Sequence, residues 1–287
     1  MLTGKTILPP PYIRYPQIDR GSMAWRMGIG EHYVNRWNAF RASLTEEALS
    51  EYYLLFPEPA VWRGAMTGEK RLGEYCRGGL SLERWTENDQ PKYSREQLEA
   101  NGETLTPENT IFFWGHQPSK DGRITPSCLS QWFIAPFSVY DTKYCCMEQF
   151  MMASKARLFE DRETLELILK SSDPKEIKAL GRQVRGFDAQ AWNEAKQLII
   201  VNGNFRKFTQ NPALRDYLLA TGERILVEAS PYDTIWGVGL GAEDPRISDP
   251  KQWRGENLLG FALMQVRDEI AKAYANIHLC AEKPEIF

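Results

Sequence analysis

The sequence predicts an α+β fold: a compact, mostly helical domain with a small sheet, preceded by a partly helical N-terminal extension. Apolar residues recur at helical spacing in many segments, whereas short apolar runs typical of buried strands are few. The pattern changes from polar and mixed to strongly periodic near residue 109 of the 287 residues. We therefore expect an extension over residues 1–108, the main domain over 109–278 and a tail over 279–287.

The extension starts with a proline-rich stretch, residues 1–20, which we expect to be extended and pinned against a larger unit. Residues 22–53 have helical spacing, and Thr45 followed by two glutamates is typical of a helix start. The segment PEPAVW ends that helix. Residues 64–109 favour a loop with one short helix.

The main domain opens with IFFW, which predicts a short buried strand ending at Gly115. Residues 129–145 predict two strands joined by a turn near residues 140–142. Helices are predicted over residues 146–159, 164–169, 174–180, 189–202 and 212–220. A strand over residues 225–230 and a closing amphipathic helix over 257–277 complete the domain.

Composition limits the class of protein. A net charge of −3 gives no global sign of a nucleic-acid-binding protein, although it is compatible with a local basic patch. The five cysteines, two of them adjacent, do not form a disulfide framework, and we expect reduced thiols in a cytoplasmic protein. The N-terminus does not resemble a signal peptide, and we expect no membrane span. With scattered histidines and no acidic cluster, we expect neither a metal nor a cofactor.

The first candidate site lies on the helix predicted over residues 146–159. Glu148 and Lys155 are seven residues apart, so both project from one face about 10 Å apart along the axis. Met152 and Phe159 share that stripe, and an amine in a partly apolar site is a candidate nucleophile. The alternative is a solvated or salt-bridged helix face.

The segment SPYDTIWGVGLG is the second candidate. Asp233 follows a predicted strand and precedes Trp236, a position where loops often carry function; the alternative is an aspartate that only forms the turn. Gly237 and the glycines after it lack the spacing of a dinucleotide-binding motif. They favour close approach of the backbone to a ligand, or simply a tight loop.

Cations and aromatic residues complete the candidates. Arg182 and Lys207 are candidate phosphate contacts, with a surface charge as the alternative for each. Trp114 could stack on a base or be a core indole. His116, a lone histidine, favours a structural role. The predicted catalytic residues are Glu148, Lys155 and Asp233, and the predicted substrate-binding residues are Trp114, Gly115, Arg182, Lys207, Trp236, Gly237 and Asn257.

From residue 111 to residue 268 the chain resembles the NADAR family, the YbiA-like N-glycosidases. The order and spacing of several segments carry the resemblance: FFWGH, LSQWFIAPF, KARLF, DPKEIKALGRQV, FDAQAWNEAK, KFTQNPALRDYLLATGERILVEASPYDTIWGVGL and WRGENLLGFALMQVR. The family helix usually has Glu-His-Tyr where this chain has Glu148, Gln149 and Phe150. The acid is kept, and any role of that histidine is absent here.

The resemblance implies a compact α+β fold and hydrolysis of an N-glycosidic bond on a ribose that carries a phosphate or an ADP group. Combined with the candidate residues, it implies that Lys155 attacks the anomeric carbon and opens the sugar to an imine, with Glu148 transferring protons. Asp233 would hold the ribose hydroxyls or assist proton transfer. Trp114 and Trp236 would form the pocket walls, and Arg182 would meet phosphate.

Three functions remain open at this point. The first is removal of ADP-ribose from guanine in DNA. The second is cleavage of reactive intermediates of riboflavin biosynthesis, and the third is binding of ADP-ribose without cleavage. The presence of Glu148, Lys155 and Asp233 disfavours the third, and the long extension favours a macromolecular substrate.

Overall fold

The computed structural model describes residues 6–86, 90–102 and 104–286. The start of the predicted proline-rich stretch (1–5), residues 87–89 and 103 of the predicted loop region and residue 287 of the predicted tail lie outside the described residues. The α-helices are α1 (Pro11–Arg14), α2 (Gly28–Ala42), α3 (Glu46–Leu55), α4 (Arg95–Asn101), α5 (Met147–Leu158), α6 (Arg162–Lys170), α7 (Pro174–Arg182), α8 (Ala189–Gln210), α9 (Pro212–Ala220) and α10 (Leu258–Tyr274). The strands are β1 (Glu74–Arg77), β2 (Leu80–Glu83), β3 (Thr110–Phe113), β4 (Phe137–Val139), β5 (Thr142–Tyr144) and β6 (Ile225–Glu228). The α+β class is confirmed.

A parallel pair of strands fixes the position of the cleft described below. β3 pairs with β6 in a register that sets Thr110 opposite Ile225 and Phe113 opposite Glu228. Parallel strands end at the same edge, so the chain after Phe113 and the chain after Glu228 emerge side by side. α10 packs against β6 and α8. Two segments more than a hundred residues apart in sequence therefore meet at one edge.

α5 lies in the centre of the domain. It packs against α6, α7 and α8, and all of its residues are buried except Lys155 and Arg157. Asp161 and Asp173 cap the next two helices by accepting N–H bonds from Thr164 and Lys175. A helix buried on most faces has no polar side to solvent, so a charged residue on it has a particular partner or a cavity.

α8 is longer than the sequence predicted: it ends at Gln210 instead of residue 202. Its second half carries polar side chains that are buried and hydrogen-bonded inside the protein. Asn202, for example, donates to the carbonyl of Glu83 at 2.9 Å. The polar stretch that was predicted to follow the helix is therefore part of its interior, because most of its buried polar groups have internal partners.

The start of the extension also differs from the prediction. Residues 1–20 were expected to be extended, but Pro11 opens the short helix α1, with its fixed φ suited to a first turn. The expected anchoring is present. The Tyr12 hydroxyl donates to the carbonyl of Pro57 at 3.0 Å, and the Tyr33 hydroxyl donates to that of Pro9 at 2.7 Å. Both tyrosines belong to one continuous apolar core with the main domain.

A buried ion triad joins the extension to α8. The Arg206 guanidinium lies 2.8 Å from Asp19 and 3.1 Å from Glu83, and all three side chains are less than 10% exposed. Asp19 also accepts the backbone N–H of Tyr140. Three segments distant in sequence therefore converge on one buried cation.

The part of the chain that the structure describes contains two hairpins, of which the sequence pattern predicted one. The pair β4–β5 confirms the predicted turn, with Tyr140 in the left-handed region at φ 50°. The first of the two strands predicted over residues 129–145 is shorter than expected. Leu129 ends a 3-10 helix, residues 130–136 form turns and irregular backbone, and the strand is only Phe137–Val139. The pair β1–β2 was predicted as loop, because four-residue strands carry too few alternations to recognise. Within the described ranges, no helix has the length and apolarity needed to cross a membrane.

Candidate active site

A cleft with two connected chambers lies where β3 and β6 end against α5 and α7. One chamber has a volume of about 440 Å³ and the other about 390 Å³. Residues common to both linings are Glu148, Lys178, Arg182, Tyr232, Asp233 and Trp236. A cavity of about 830 Å³ elsewhere, between β1, α8 and the start of α10, is larger but is lined by none of the predicted site residues.

Glu148 lies at the junction of the two chambers, in the first turn of α5. It is 2% exposed, and across the described residues its Oε1 has no hydrogen-bond partner. Burial raises the pKa of this carboxyl to about 7, and the nearby Lys178 and Trp132 side chains offset part of that effect. A carboxyl with such a pKa can give or accept a proton near neutral pH.

Glu228, the last residue of β6, is a second acid in the cleft, and the sequence did not predict it as a site residue. Its Oε2 is buried and has no hydrogen-bond partner among the described residues. Burial raises its pKa to about 8, with further increases from Asp233 and then Glu148, while Lys178 lowers it. The only signal in the sequence was an acid at the end of an apolar strand, directly before the predicted turn.

Asp233 forms the turn and also faces the cleft. Its Oδ1 accepts the backbone N–H groups of Ile235 at 2.9 Å and Trp236 at 2.8 Å, as a turn-forming aspartate does. The same side chain lines both chambers. The turn therefore fixes a carboxylate between the two parts of the cleft.

Lys155 lines only the smaller chamber, together with Phe187 and Trp192. Its Nζ donates to the carbonyl of Gly181 at 2.8 Å and lies 4.5 Å from the Phe187 ring centroid and 5.8 Å from that of Trp192. Burial lowers the pKa of this amine. Glu148 lines the same chamber, so the two residues predicted from their spacing do face one cavity.

Two cations from α7, Lys178 and Arg182, line both chambers. Arg182 was predicted from the sequence and Lys178 was not. The Lys178 ammonium lies 5.6 Å from the Trp132 ring centroid. A pair of cations one helical turn apart at the junction is suited to an anionic group that spans the two chambers.

Aromatic residues surround the larger chamber. Trp114 is 59% exposed and its ring lies 6.2 Å from that of Tyr232, which is 87% exposed. His116 lies 5.4 Å from Trp132 on the same lining. Gly115 also lines this chamber. The buried Trp236 side chain lines both chambers. Trp114 is therefore a surface indole at the mouth of the cavity, and not a core residue.

Three predicted binding residues are not in the cleft. Lys207 is fully buried, and its Nζ donates to the carbonyls of Cys128 at 2.7 Å and Ser130 at 2.9 Å, so it cannot contact a phosphate. Asn257 is also fully buried. Its side-chain oxygen accepts the Glu228 N–H, and its side-chain nitrogen donates to the Leu226 carbonyl, both at 2.9 Å. It positions β6 instead of binding substrate.

Gly237 is the third predicted binding residue that lies outside the cleft. The sequence predicted that it lets the backbone approach a ligand. The close approach is to β6: a Cβ on Gly237 would lie 2.8 Å from the Glu228 carbonyl oxygen. The residue lines neither chamber. Its role is to let the loop pack against the strand that carries Glu228.

Gln149 occupies the position where the family pattern has histidine. Its side-chain oxygen accepts the Cys145 N–H at 2.7 Å, and its amide nitrogen donates to the carbonyls of Ile168 at 3.0 Å and Ser171 at 2.8 Å. All of its contacts serve the fold. Within the described ranges, no cluster of three or more His, Cys, Asp or Glu side chains is arranged to hold a metal ion.

Comparison with known proteins identifies the family of the chain. The NADAR domain model matches residues 112–271, and the chain belongs to the NADAR family. It is similar to N-glycosidase R617 of Acanthamoeba polyphaga mimivirus, with 42% identity over 164 residues that are 55% of this chain and 95% of the relative. It is 34% identical over 113 residues to the riboflavin biosynthesis protein PYRR of Zea mays, covering 38% of this chain and 16% of the relative.

The NMR structure of the E. coli protein YbiA is also similar, at 26% identity with a TM-score of 0.46, covering 59% of this chain and 89% of YbiA. Residues 6–86 precede the matched family region.

Proposed function

We propose that this protein removes ADP-ribose from guanine bases in DNA by hydrolysing the N-glycosidic bond between them. The protein is a hydrolase acting on N-glycosyl compounds. The observation that supports the finer proposal is the cleft with two chambers. A lysine lies in one chamber, aromatic residues lie around the other, and Glu148 and two cations lie at the junction. Such a cavity suits a substrate with a flat base on one side and a charged sugar phosphate on the other.

The chemistry starts from Lys155. Its neutral amine attacks C1 of the ribose, the C1–N bond to guanine breaks, and the bonding electron pair leaves with the base. Glu148 takes the proton that the lysine nitrogen loses and returns it to the ring oxygen as the ribose opens to the imine. Water then adds to the imine carbon, which releases the sugar and restores the amine. Asp233 is placed to hold the ribose hydroxyls or to assist these proton transfers.

The surroundings suit a charged substrate that is attached to a polymer. Arg182 and Lys178 can pair with the diphosphate of ADP-ribose. Trp114 and Tyr232, both exposed at the mouth, present ring faces on which an extruded base can stack. The net charge of −3 is no obstacle, because an enzyme that acts on one extruded nucleotide needs only a small basic rim.

A second candidate function is cleavage of ribosylated riboflavin-pathway intermediates, and the name of the PYRR relative favours it. Its substrates also carry a ribose phosphate on a flat ring, so the same cleft accommodates them. Binding of ADP-ribose without cleavage is disfavoured by the location of Glu148, Lys155 and Asp233 on the lining of one chamber.

A release assay followed by mass spectrometry tests the proposal. The purified protein is incubated with DNA that carries ADP-ribosylated guanine and, separately, with the ribosylamino-pyrimidine phosphate of riboflavin synthesis. We expect release of ADP-ribose from the first substrate. Cleavage of only the second would replace the proposal with the metabolic function. Cleavage of neither, with ADP-ribose still bound, would show a binding protein. A titration of DNA binding with salt measures how many phosphate contacts contribute.

A further inference from the structure

The two chambers contain different titratable groups. Glu228 lines only the larger, aromatic chamber, and Lys155 lines only the smaller one. Glu148 lines both. The cleft thus has a nucleophile candidate at one end, an unassigned carboxyl at the other and a shared acid between them.

The arrangement of Lys155, Glu148 and Glu228 along the cleft determines from which side each group can act on a sugar carbon. A nucleophile that displaces a leaving group approaches from the face opposite to the bond that breaks. If Lys155 attacks from the smaller chamber, the ribose C1 lies near Glu148 at the junction, and the base departs into the larger chamber. The aromatic residues around that chamber, Trp114, Trp132 and Tyr232, are suited to a flat heterocycle.

A heterocyclic base that departs as an anion is a poor leaving group. It departs faster when an acid protonates it as the bond breaks. Glu228 is the carboxyl on that side. Its Oε2 is buried without a partner among the described residues, and burial together with Asp233 and Glu148 raises its pKa to about 8, so it is mostly protonated at neutral pH. The groups that face it are Glu148 from α5, Lys178 and Arg182 from α7, His116 from the loop after β3, and Tyr232 and Asp233 from its own loop.

We propose that Glu228 is the general acid of the reaction, which protonates the departing base in the aromatic chamber while Lys155 attacks from the opposite chamber. The assignment rests on the proposed function. In this step the Lys155 nitrogen forms a bond to C1, the C1–N bond to the base breaks, and the Glu228 proton is transferred to the base. Glu228 becomes a carboxylate and is reprotonated from solvent when water hydrolyses the imine.

This role separates the two buried acids. Glu148 shares a chamber with Lys155 and takes the proton that the lysine nitrogen loses. Glu228 does not share that chamber and acts only on the leaving group. Asn257, which holds the Glu228 backbone N–H at 2.9 Å, is then a positioning residue for the acid.

Substitution Glu228→Gln tests the proposal without disturbing the strand, because β6 is held through the backbone N–H and carbonyl groups of this residue. The variant and wild type are compared on two substrates with the same sugar: the base adduct that the wild type cleaves, and its 4-nitrophenyl glycoside. Nitrophenolate leaves without a proton. We expect a loss of at least about 100-fold in kcat on the base adduct and less than about threefold on the aryl glycoside.

The pH profile is the second measurement. Wild-type cleavage of the base adduct should fall as pH rises through about 8, the pKa of Glu228, and this limb should be absent for the aryl glycoside. Glu243→Gln, an exposed acid outside the cleft, is the control and should match the wild type. If Glu228→Gln loses equal activity on both substrates, or loses none on either, the assignment of Glu228 as general acid is wrong. The proposed function would not be affected by that result. Failure of the wild type on every base adduct would overturn the proposed function and this assignment with it.

Discussion

The ammonium of Lys155 donates its hydrogen bond to the carbonyl of Gly181, at 2.8 Å, which ties α5 to the last turn of α7. Gly181 is the residue before Arg182, so the amine and the predicted phosphate-binding cation are held by the same helix end. The bond uses one donor of the ammonium and fixes its nitrogen beside the chamber.

Lys155→Ala should abolish turnover and leave the fold intact, because the imine cannot form without the amine. Lys155→Arg is the matched variant: it keeps a cation and a donor for Gly181, but it should be equally inactive. Borohydride added during turnover should reduce the imine and leave the sugar covalently attached to the wild type, detected by the mass of the intact protein. Wild-type rates in either variant would exclude the imine.

Arg182→Met should raise KM about tenfold and change kcat little, because in the proposed complex the side chain binds a phosphate that does not react. Steady-state kinetics at two salt concentrations measure this, and the salt dependence of KM should become weaker. Lys175→Met is the control on the same helix, since Lys175 is exposed and lies outside both chambers. A fall in kcat with unchanged KM would contradict a role in binding.

Glu148 should make stability depend on pH. Its pKa is about 7 in the folded protein, above the value of an ordinary glutamate. The proton is therefore held more tightly in the folded state, and the free energy of unfolding should fall by about 2 kcal/mol as pH rises from about 5.5 through about 7, above which the fall ends. Urea denaturation at pH 5.5 and pH 8.5 measures the change. Glu148→Gln should reduce this fall and be more stable than the wild type at pH 8.5. A variant less stable at both pH values would refute the prediction.

Gly260→Ala should destabilise the protein by about 3 kcal/mol or more, because the added methyl group would lie 2.0 Å from the Leu226 carbonyl oxygen and 2.6 Å from the Asn257 amide. It should also reduce activity, since the same amide holds Glu228. The methyl group added by Gly241→Ala would have no atom within 4 Å, so this variant should have nearly the stability of the wild type. Thermal unfolding of both variants provides the comparison, and equal effects would count against the close packing of α10 on β6.

Arg206→Met should cost about 3–5 kcal/mol, because it leaves the buried carboxylates of Asp19 and Glu83 without their cation. Arg77→Met removes a pair with Glu194 in which both side chains are 47% exposed, and it should cost less than about 1 kcal/mol. Chemical denaturation of the two variants distinguishes a buried ion pair from a solvated one. A cost below 1 kcal/mol for Arg206→Met would contradict the structural role of the triad.

The sequence predicted the helices of the main domain well, because each has caps, prolines or periodic apolar residues within its own span. It also predicted that Glu148 and Lys155 face one cavity, since helical spacing alone decides this. Glu228 was missed because its importance depends on the pairing of β3 with β6, which joins residues more than a hundred positions apart. Local patterns contain no information on such a pairing.

The errors share a physical cause. Lys207 and Asn257 are polar residues that were expected to meet substrate, but each satisfies backbone groups inside the protein. A sequence gives the chemical type of a side chain and not the partner that it finds. The hairpin β1–β2 was missed for a related reason, since its strands gain their burial from distant helices and not from a long alternating pattern.

The ion triad of Asp19, Glu83 and Arg206 has a consequence for how this gene could be altered. The two acids belong to the segment before the family domain, and the cation belongs to the domain itself. Removal of the first segment would take both carboxylate partners from the Arg206 guanidinium at once. The family domain expressed without the first segment should therefore need a substitution at Arg206, or a new counter-charge beside it, to recover the stability of the full chain.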